Sequence, residues 1–316
     1  MITDVNKALR YFVHHRTVYS YSYPVAISHH AAFLSPLNSN QQTLERFSLQ
    51  VTPRPDDLTE GLDYFGNIRH QFSIAESHSE LTVEMRAQVQ KLVRAIPDPE
   101  DSPSAAEVHR FLVNPITREG VDAADFRFPS EWTQPKDEFV AYARQFIDPN
   151  RPYLEGVKRL CDGIHQDFDF DNEATDINTP LTEFFEKRGG VCQDFAHFMI
   201  ACLRGMGFAA GYVSGYILTH PPEEQPRLEG ADASHAWVTT YVPEIGWVDL
   251  DPANALFVNE EHIHVARGRD YQDVAPIKGA VSGGGEQEIE ISVTVRPEWE
   301  VEENSPRKGI YWEDLM

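Results

Sequence analysis

Three residues, Cys192, His235 and Asp251, have the types and the order to do covalent chemistry. Cys192 stands in Gly189-Gly190-Val191-Cys192-Gln193-Asp194-Phe195-Ala196-His197, and His235 in Ser234-His235-Ala236-Trp237. Asp251 ends the run Trp247-Val248-Asp249-Leu250-Asp251-Pro252. A thiol attacks a carbonyl only as thiolate. At the first turn of a helix, unpaired backbone N–H groups and the helix dipole favour that negative charge. A nearby histidine takes the proton, and a carboxylate holds the imidazole in one tautomer. This set can run acyl transfer through a thioester. The backbone N–H of Cys192 is a natural oxyanion donor, and His165 and Gln166, earlier in the chain, are candidates for the second. Asp249 lies two residues before Asp251 on the same strand face and competes for the orienting role.

The elements around these residues are readable from pattern. The glycine pair is expected to turn the chain so that Cys192 enters a helix whose apolar stripe is Phe195, Phe198, Met199, Cys202, Leu203 and Met206. Gly205 and Gly207 close that helix. Cys202 lies on the stripe, where a free cysteine behaves as a small hydrophobe. Cys161 belongs to the apolar face of an earlier helix that begins near Asn150 and Pro152. Strands follow at Tyr212 to Leu218, Ala236 to Val242 and Trp247 to Leu250, with a proline-rich loop, Thr219 to Ala231, after the first. The turn Pro243-Glu244-Ile245-Gly246 brings His235 and Asp251 within two or three positions of cross-strand pairing. A helix followed by antiparallel strands reads as α+β rather than a doubly wound sheet.

Upstream, residues 10 to about 90 alternate apolar with polar side chains, as in Thr17 to Tyr23 and Ile68, His70, Phe72, Ile74, and suggest a β-sandwich-like module. An acidic, proline-bearing linker, Pro97-Asp98-Pro99-Glu100-Asp101, ends it, and short helices are expected around 104–113 and 136–146. The expected division is 1–95 for the β module, 96–280 for the catalytic domain, and 281–316 for a last strand and acidic tail. That strand, Glu288 to Val295, is a candidate to rejoin the N-terminal sheet. Gly283-Gly284-Gly285 reads as a flexible turn. The His29-His30 pair has the types of a metal site but the context of ordinary sheet residues.

Composition sets limits. The chain has 316 residues, 41% of them hydrophobic, and a formal charge of −23. Nucleic acid needs clustered Lys and Arg, so no nucleic-acid partner is expected, nor an anionic membrane surface. No apolar run reaches the roughly 18 residues of a membrane span. The start Met1-Ile2-Thr3-Asp4 lacks the pattern of a secretory signal. Three cysteines (Cys161, Cys192, Cys202) without metal-type spacing point to free thiols in a reducing, cytoplasmic setting. No metal or cofactor motif occurs, and no calcium loop.

The motifs resemble the transglutaminase-like superfamily, in its bacterial branch with an N-terminal β region. The resemblance rests on Gly190 to His197, Tyr212-Val213-Ser214-Gly215-Tyr216, Ser234 to Val238, Gly246-Trp247-Val248, Asp251-Pro252-Ala253-Asn254 and Gly268-Arg269-Asp270-Tyr271. The tyrosine-rich strands and Asp63-Tyr64-Phe65-Gly66-Asn67 extend it across nearly the whole chain. It implies a transglutaminase-like cysteine peptidase with a Cys192, His235, Asp251 triad on a papain-like core. Asp251 is preferred over Asp249 because the family motif puts the carboxylate directly before proline. Ala253 stands where threonine is commoner.

The implied substrate is a peptide or isopeptide amide, with hydrolysis favoured over cross-linking of protein glutamines because water needs no second docking site. An inactive peptide-binding scaffold is the competing class. Gln193, Asp194, His197, Trp237, Arg269 and Asp270 are candidates for the cleft. Among them His197 points away from Cys192 along the helix, and Trp237 is expected behind the triad. Arg267, Arg269 and Asp270 are expected to pin their loop by ion pairs.

Overall fold

Pro24 interrupts an otherwise alternating run, and the consequence is a change of partners rather than the end of a strand. In the computed structural model, which describes residues 8–93, 95–175, 179–220 and 234–299, β1 (Ala8–Ala32) is one strand of 25 residues. Its first part is flanked by β5 (His78–Leu92) and β14 (Gln287–Pro297). Its second part is flanked by β4 (Ile68–Ile74) and β13 (Ile277–Gly283). The partners change around Pro24, which has no N–H to give a ladder. There the connection from β13 to β14 runs through Gly283, Gly284 and Gly285 at φ of 98°, 87° and 67°, a backbone region glycine enters without strain. β2 (Gln42–Thr52) extends β5 and β3 (Asp57–Leu62) extends β4. The strands expected of a sandwich-like module therefore form one seven-stranded antiparallel sheet.

The helical layer comprises α1 (Ala105–Val113), α2 (Arg118–Ala124), α3 (Asp137–Ala143), α4 (Tyr153–Asp167), α5 (Leu181–Lys187) and α6 (Cys192–Gly205). Two short parallel strands, β6 (Asp169–Phe170) and β7 (Gly189–Gly190), tie the end of α4 to the entrance of α6. A five-stranded antiparallel sheet follows. It holds β8 (Ala210–Ile217), β9 (Ser234–Val242), β10 (Gly246–Asp251), β11 (Leu256–Phe257) and β12 (His262–Gly268), in the order β11-β10-β9-β8-β12. The last helix is α7 (Tyr271–Val274).

α6 is apolar nearly all round and lies buried between β8 and β9 on one side and α3 on the other. Cys202 and Cys161 are both buried, and burial pushes both thiols up. Beyond the expected glycines, the end of α6 is fastened by the buried Arg204, which donates to the carbonyls of Phe126 (2.9 Å), Ala210 (2.7 Å) and Arg269 (2.9 Å).

Side-chain amides join the two sheets. Gln42 donates to the His264 carbonyl at 2.9 Å and accepts its N–H at 2.9 Å. Asn67 does the same with Arg267, at 2.7 and 2.8 Å. Each amide imitates one rung of a β ladder, which fixes β12 on the N-terminal sheet. His15 adds a third link, with Nδ1 2.9 Å from the Tyr216 hydroxyl of β8.

Candidate active site

The entrance of α6 is built differently from the expected glycine turn. The left-handed residue is Arg188, at φ 58°, with its guanidinium over the rings of Phe185 and Phe168 at 4.5 and 4.7 Å. Gly189 and Gly190 are extended and pair with Asp169 and Phe170. Gly190 is required for space. A Cβ there would lie 2.6 Å from Asp194 Oδ2 and 2.8 Å from the Phe184 ring. Gly190→Ala is expected to destabilise the fold by about 1–3 kcal/mol through overpacking, read as a lowered melting temperature together with slower alkylation of Cys192.

Asp194 was expected in the cleft, and here the structure corrects the sequence. Its buried carboxylate turns back to accept the Val191 N–H at 2.9 Å and the Thr175 hydroxyl at 2.7 Å. It caps the helix and holds Cys192 at the first helical position. Cys192 is partly exposed, and its own N–H has no carbonyl of α6 to donate to. It opens, with Gln193, into a cavity of about 640 Å³.

His235 is the second residue of β9. The β9–β10 register sets Leu250 opposite Val238 and so carries Asp251 alongside Trp237, on the diagonal from His235. His235 Nε2 lies 2.6 Å from Asp251 Oδ2. Asn254 Nδ2 lies 3.4 Å from the same Nε2, which leaves Nδ1 for the thiol of Cys192, a further side-chain hydrogen-bond partner of this imidazole. Burial alone would lower its pKa. The hydrogen bond to Asp251, then that to Cys192, outweigh burial and push it up to about 10.

Asp251 is fully buried and densely satisfied. Oδ1 accepts the N–H groups of Ala253 and Asn254 at 3.0 and 3.2 Å. Oδ2 accepts from Asn254 Nδ2 at 2.7 Å and lies 3.2 Å from His262 Nε2. Burial would raise this carboxyl, but the bonds from His235 and His262 hold it below its ordinary range. Asp249 faces a different histidine, His264, at 3.1 Å. The two carboxylates of β10 are thus sorted by β12, which offers His262 to one and His264 to the other.

His262 escaped sequence reasoning, because no strand is expected from the sequence over His262–Gly268, where β12 lies. The signal was present: Asp249-Leu250-Asp251 and His262-Ile263-His264 share a spacing of two, as facing strands require. The ligand atoms of His235, Asp251 and His262 lie within 4.8 Å of one another, which are the types a divalent ion takes. In this arrangement both imidazoles are engaged with the one carboxylate.

The remaining candidates fall outside the cavity. His165 and Gln166 are exposed, and His165 Nδ1 lies 2.9 Å from the Ala253 carbonyl. Neither lines the cavity at Cys192. His197 is buried and accepts the Tyr271 N–H on Nε2 at 3.1 Å. Burial, with the nearby Arg204 charge, pushes it down to about 3, so it is neutral. Asp270 caps α7 by accepting the Gln272 N–H at 2.9 Å, and Arg269 is paired twice with Asp273 at 2.9 and 3.0 Å. These residues order the loop that presents Tyr271 to the cavity. Trp237 is buried behind His235, its ring 5.3 Å from that of His262 and 5.0 Å from that of His264. His29 is exposed, whereas His30 is buried, stacks on Phe72 and lines the cavity. Most of the 219–233 loop lies outside the described residues.

Comparisons with known proteins bear on the family and the fold. Residues 11–90 match the bacterial transglutaminase-like N-terminal region, and residues 140–252 match the transglutaminase-like superfamily. An uncharacterized protein of Mycobacterium tuberculosis is 37% identical over 91% of this chain and 93% of its own length. A protein-glutamine gamma-glutamyltransferase of Pseudomonas aeruginosa is 30% identical, over 35% of this chain and 18% of its own. The crystal structure of a candidate cysteine protease from Cytophaga hutchinsonii superposes with a TM-score of 0.73 at 20% identity, covering 97% of this chain and 94% of that one. At that identity the likeness speaks to the fold. No described helix is long and apolar enough to cross a membrane.

Proposed function

Because the chain belongs to the transglutaminase-like superfamily, in the bacterial branch with an N-terminal β region, we propose that it is a thiol enzyme acting on peptide or isopeptide amides. One observation carries this reading: a partly exposed Cys192 at a helix start, facing an imidazole whose other nitrogen is held 2.6 Å from a buried carboxylate. Cys192 Sγ, its proton already held on His235 Nδ1, attacks the amide carbonyl. The tetrahedral oxyanion is met by the Cys192 N–H, a contact worth on the order of 2.7–4 kcal/mol when well aimed. Collapse breaks the C–N bond, and His235 returns the proton to the leaving amine. A water deprotonated by His235 then cleaves the thioester and frees the acid. Asp251 stays ionised throughout and steadies the imidazolium.

Hydrolysis is the favoured outcome, since water needs no docking site of its own. Transfer to an amine is the second reading, favoured by the gamma-glutamyltransferase relative that matches 35% of this chain. Incubating the protein with a glutamine-containing peptide, with and without a primary amine, separates the two by mass. Deamidated or cleaved peptide that persists with the amine present supports hydrolysis. An amine adduct as the dominant product supports transfer. No product from any peptide, with Cys192 unreactive, would leave a binding scaffold.

A further inference from the structure

The cavity at Cys192 has a second wall, supplied by the N-terminal sheet. In the β1–β14 register Thr17 sits beside Ile291, Tyr19 beside Ile289 and Tyr21 beside Gln287. Paired residues project to the same side of a sheet, and all six line the cavity. Ile277 and Val281 of β13 continue this surface. Further along the same face of β14, Val293 and Val295 are 1% and 0% exposed, whereas Ile291 and Ile289 are 57% and 49% exposed. An apolar face thus runs out of the core into the cleft and stays uncovered there.

The wall is also uncharged. Charged residues make up 24% of the chain, yet among the described residues no Asp, Glu, Lys or Arg lines the cavity. Away from the Cys192–His235 pair, the histidines of this wall are neutral: burial, then the neighbouring His14, pushes His15 down to about 4, and burial, then His78 and His29, does the same to His30. Both His15 nitrogens are already engaged, by the hydroxyls of Tyr216 and Thr17 at 2.9 Å each. A volume of about 640 Å³ lies within the usual range for a bound small ligand or a few residues of peptide. A charged side chain resting on this wall would lose water without gaining a counter-ion. An aliphatic or aromatic one would cover Ile289 and Ile291 instead.

Resting on the thiol-enzyme reading above, we propose that β14, through Ile289 and Ile291, is the specificity wall of the cleft. The substrate it fits is a peptide amide with uncharged aliphatic or aromatic side chains beside the scissile bond.

Protection of Cys192 against iodoacetamide by acetyl-Xaa-Gln-Xaa-amide peptides, with Xaa leucine, phenylalanine, aspartate or lysine, tests this without knowing which bond is cut. The leucine and phenylalanine peptides are expected to protect at concentrations at least about tenfold lower than the charged ones. Ile291→Lys should erase that preference and improve protection by the aspartate peptide. Ile289→Asn, milder and also at an exposed position, should narrow it in the same direction if the lysine variant fails to fold. Equal protection by all peptides, protection by none, or a preference unchanged in the variants overturns the proposal. The underlying reading fails separately, when alkylation of Cys192 without peptide does not depend on His235.

Discussion

Replacing Cys192 with alanine is expected to remove amide turnover, a loss on the order of 10⁴–10⁶ in rate, because no other described group can carry the acyl intermediate. The effect should be chemical rather than structural. The side chain is partly exposed, and the helix start is held by Asp194 and not by the thiol. Stability should therefore change by less than about 1 kcal/mol. Peptide binding should survive, since the cavity walls are untouched. The other two cysteines are controls: Cys161 and Cys202 are buried with raised thiol pKa values, so Cys202→Ala should leave turnover per folded molecule intact. Turnover that persists in Cys192→Ala would mean another nucleophile.

Asp251→Asn is the second large expected effect, about 10⁴ in turnover, in a protein that still folds at neutral pH but with lowered stability. The substitution keeps the size but removes the charge that fixes the Nε2–H tautomer and favours the imidazolium. Asp249→Asn should cost less than about tenfold, because Asp249 serves His264 and not His235. The pair also has a pH signature. His235 has its folded pKa raised from 6.5 to about 10, so its stabilisation is complete below 6.5 and is lost as pH rises through 10. Asp251 is depressed, so its own contribution is lost only as pH falls below the ordinary carboxylate range. Between pH 6 and pH 10 the carboxylate stays ionised, and the change belongs to the histidine. The stability advantage of the wild type over Asp251→Asn, from urea unfolding, should shrink across that interval. A constant advantage would show that the imidazole is not held charged by Asp251.

The residues of this site were legible because each sits at an element boundary that sequence marks well. The long apolar stripe located α6, and the Pro243–Gly246 turn set the register that brings Asp251 to His235. The supporting residues were harder to read. Asp194 looked like a cleft acid because a carboxylate near a nucleophile suggests chemistry, and nothing local reveals that it folds back onto Val191. His262 was hidden because β12 alternates histidine with apolar residues and its partners lie in β10, outside its own strand pair with β8. The glycine pair suggested a turn, whereas the left-handed residue is Arg188 and Gly190 admits Asp194 and Phe184 at close range. The cleft wall was legible only in part: the alternation of Glu288 to Val295 pointed to a strand rejoining the N-terminal sheet, but not to the register that puts Ile289 and Ile291 at the cleft. It depends on β14 lying beside β1, a pairing between residues more than 250 positions apart, as in Tyr21 with Gln287.

The most direct measurement is the alkylation rate of each cysteine by iodoacetamide at pH 6, mapped by peptide mass in the wild type and in His235→Ala. An ordinary thiol, with a pKa of about 8.5, is almost wholly protonated there. If Cys192 is paired with a charged His235, it alone reacts fast at pH 6, and the histidine variant slows it by at least about tenfold. If Cys192 reacts no faster than Cys161 and Cys202, or at the same rate without His235, the thiolate–imidazolium pair does not exist and the enzymatic reading falls.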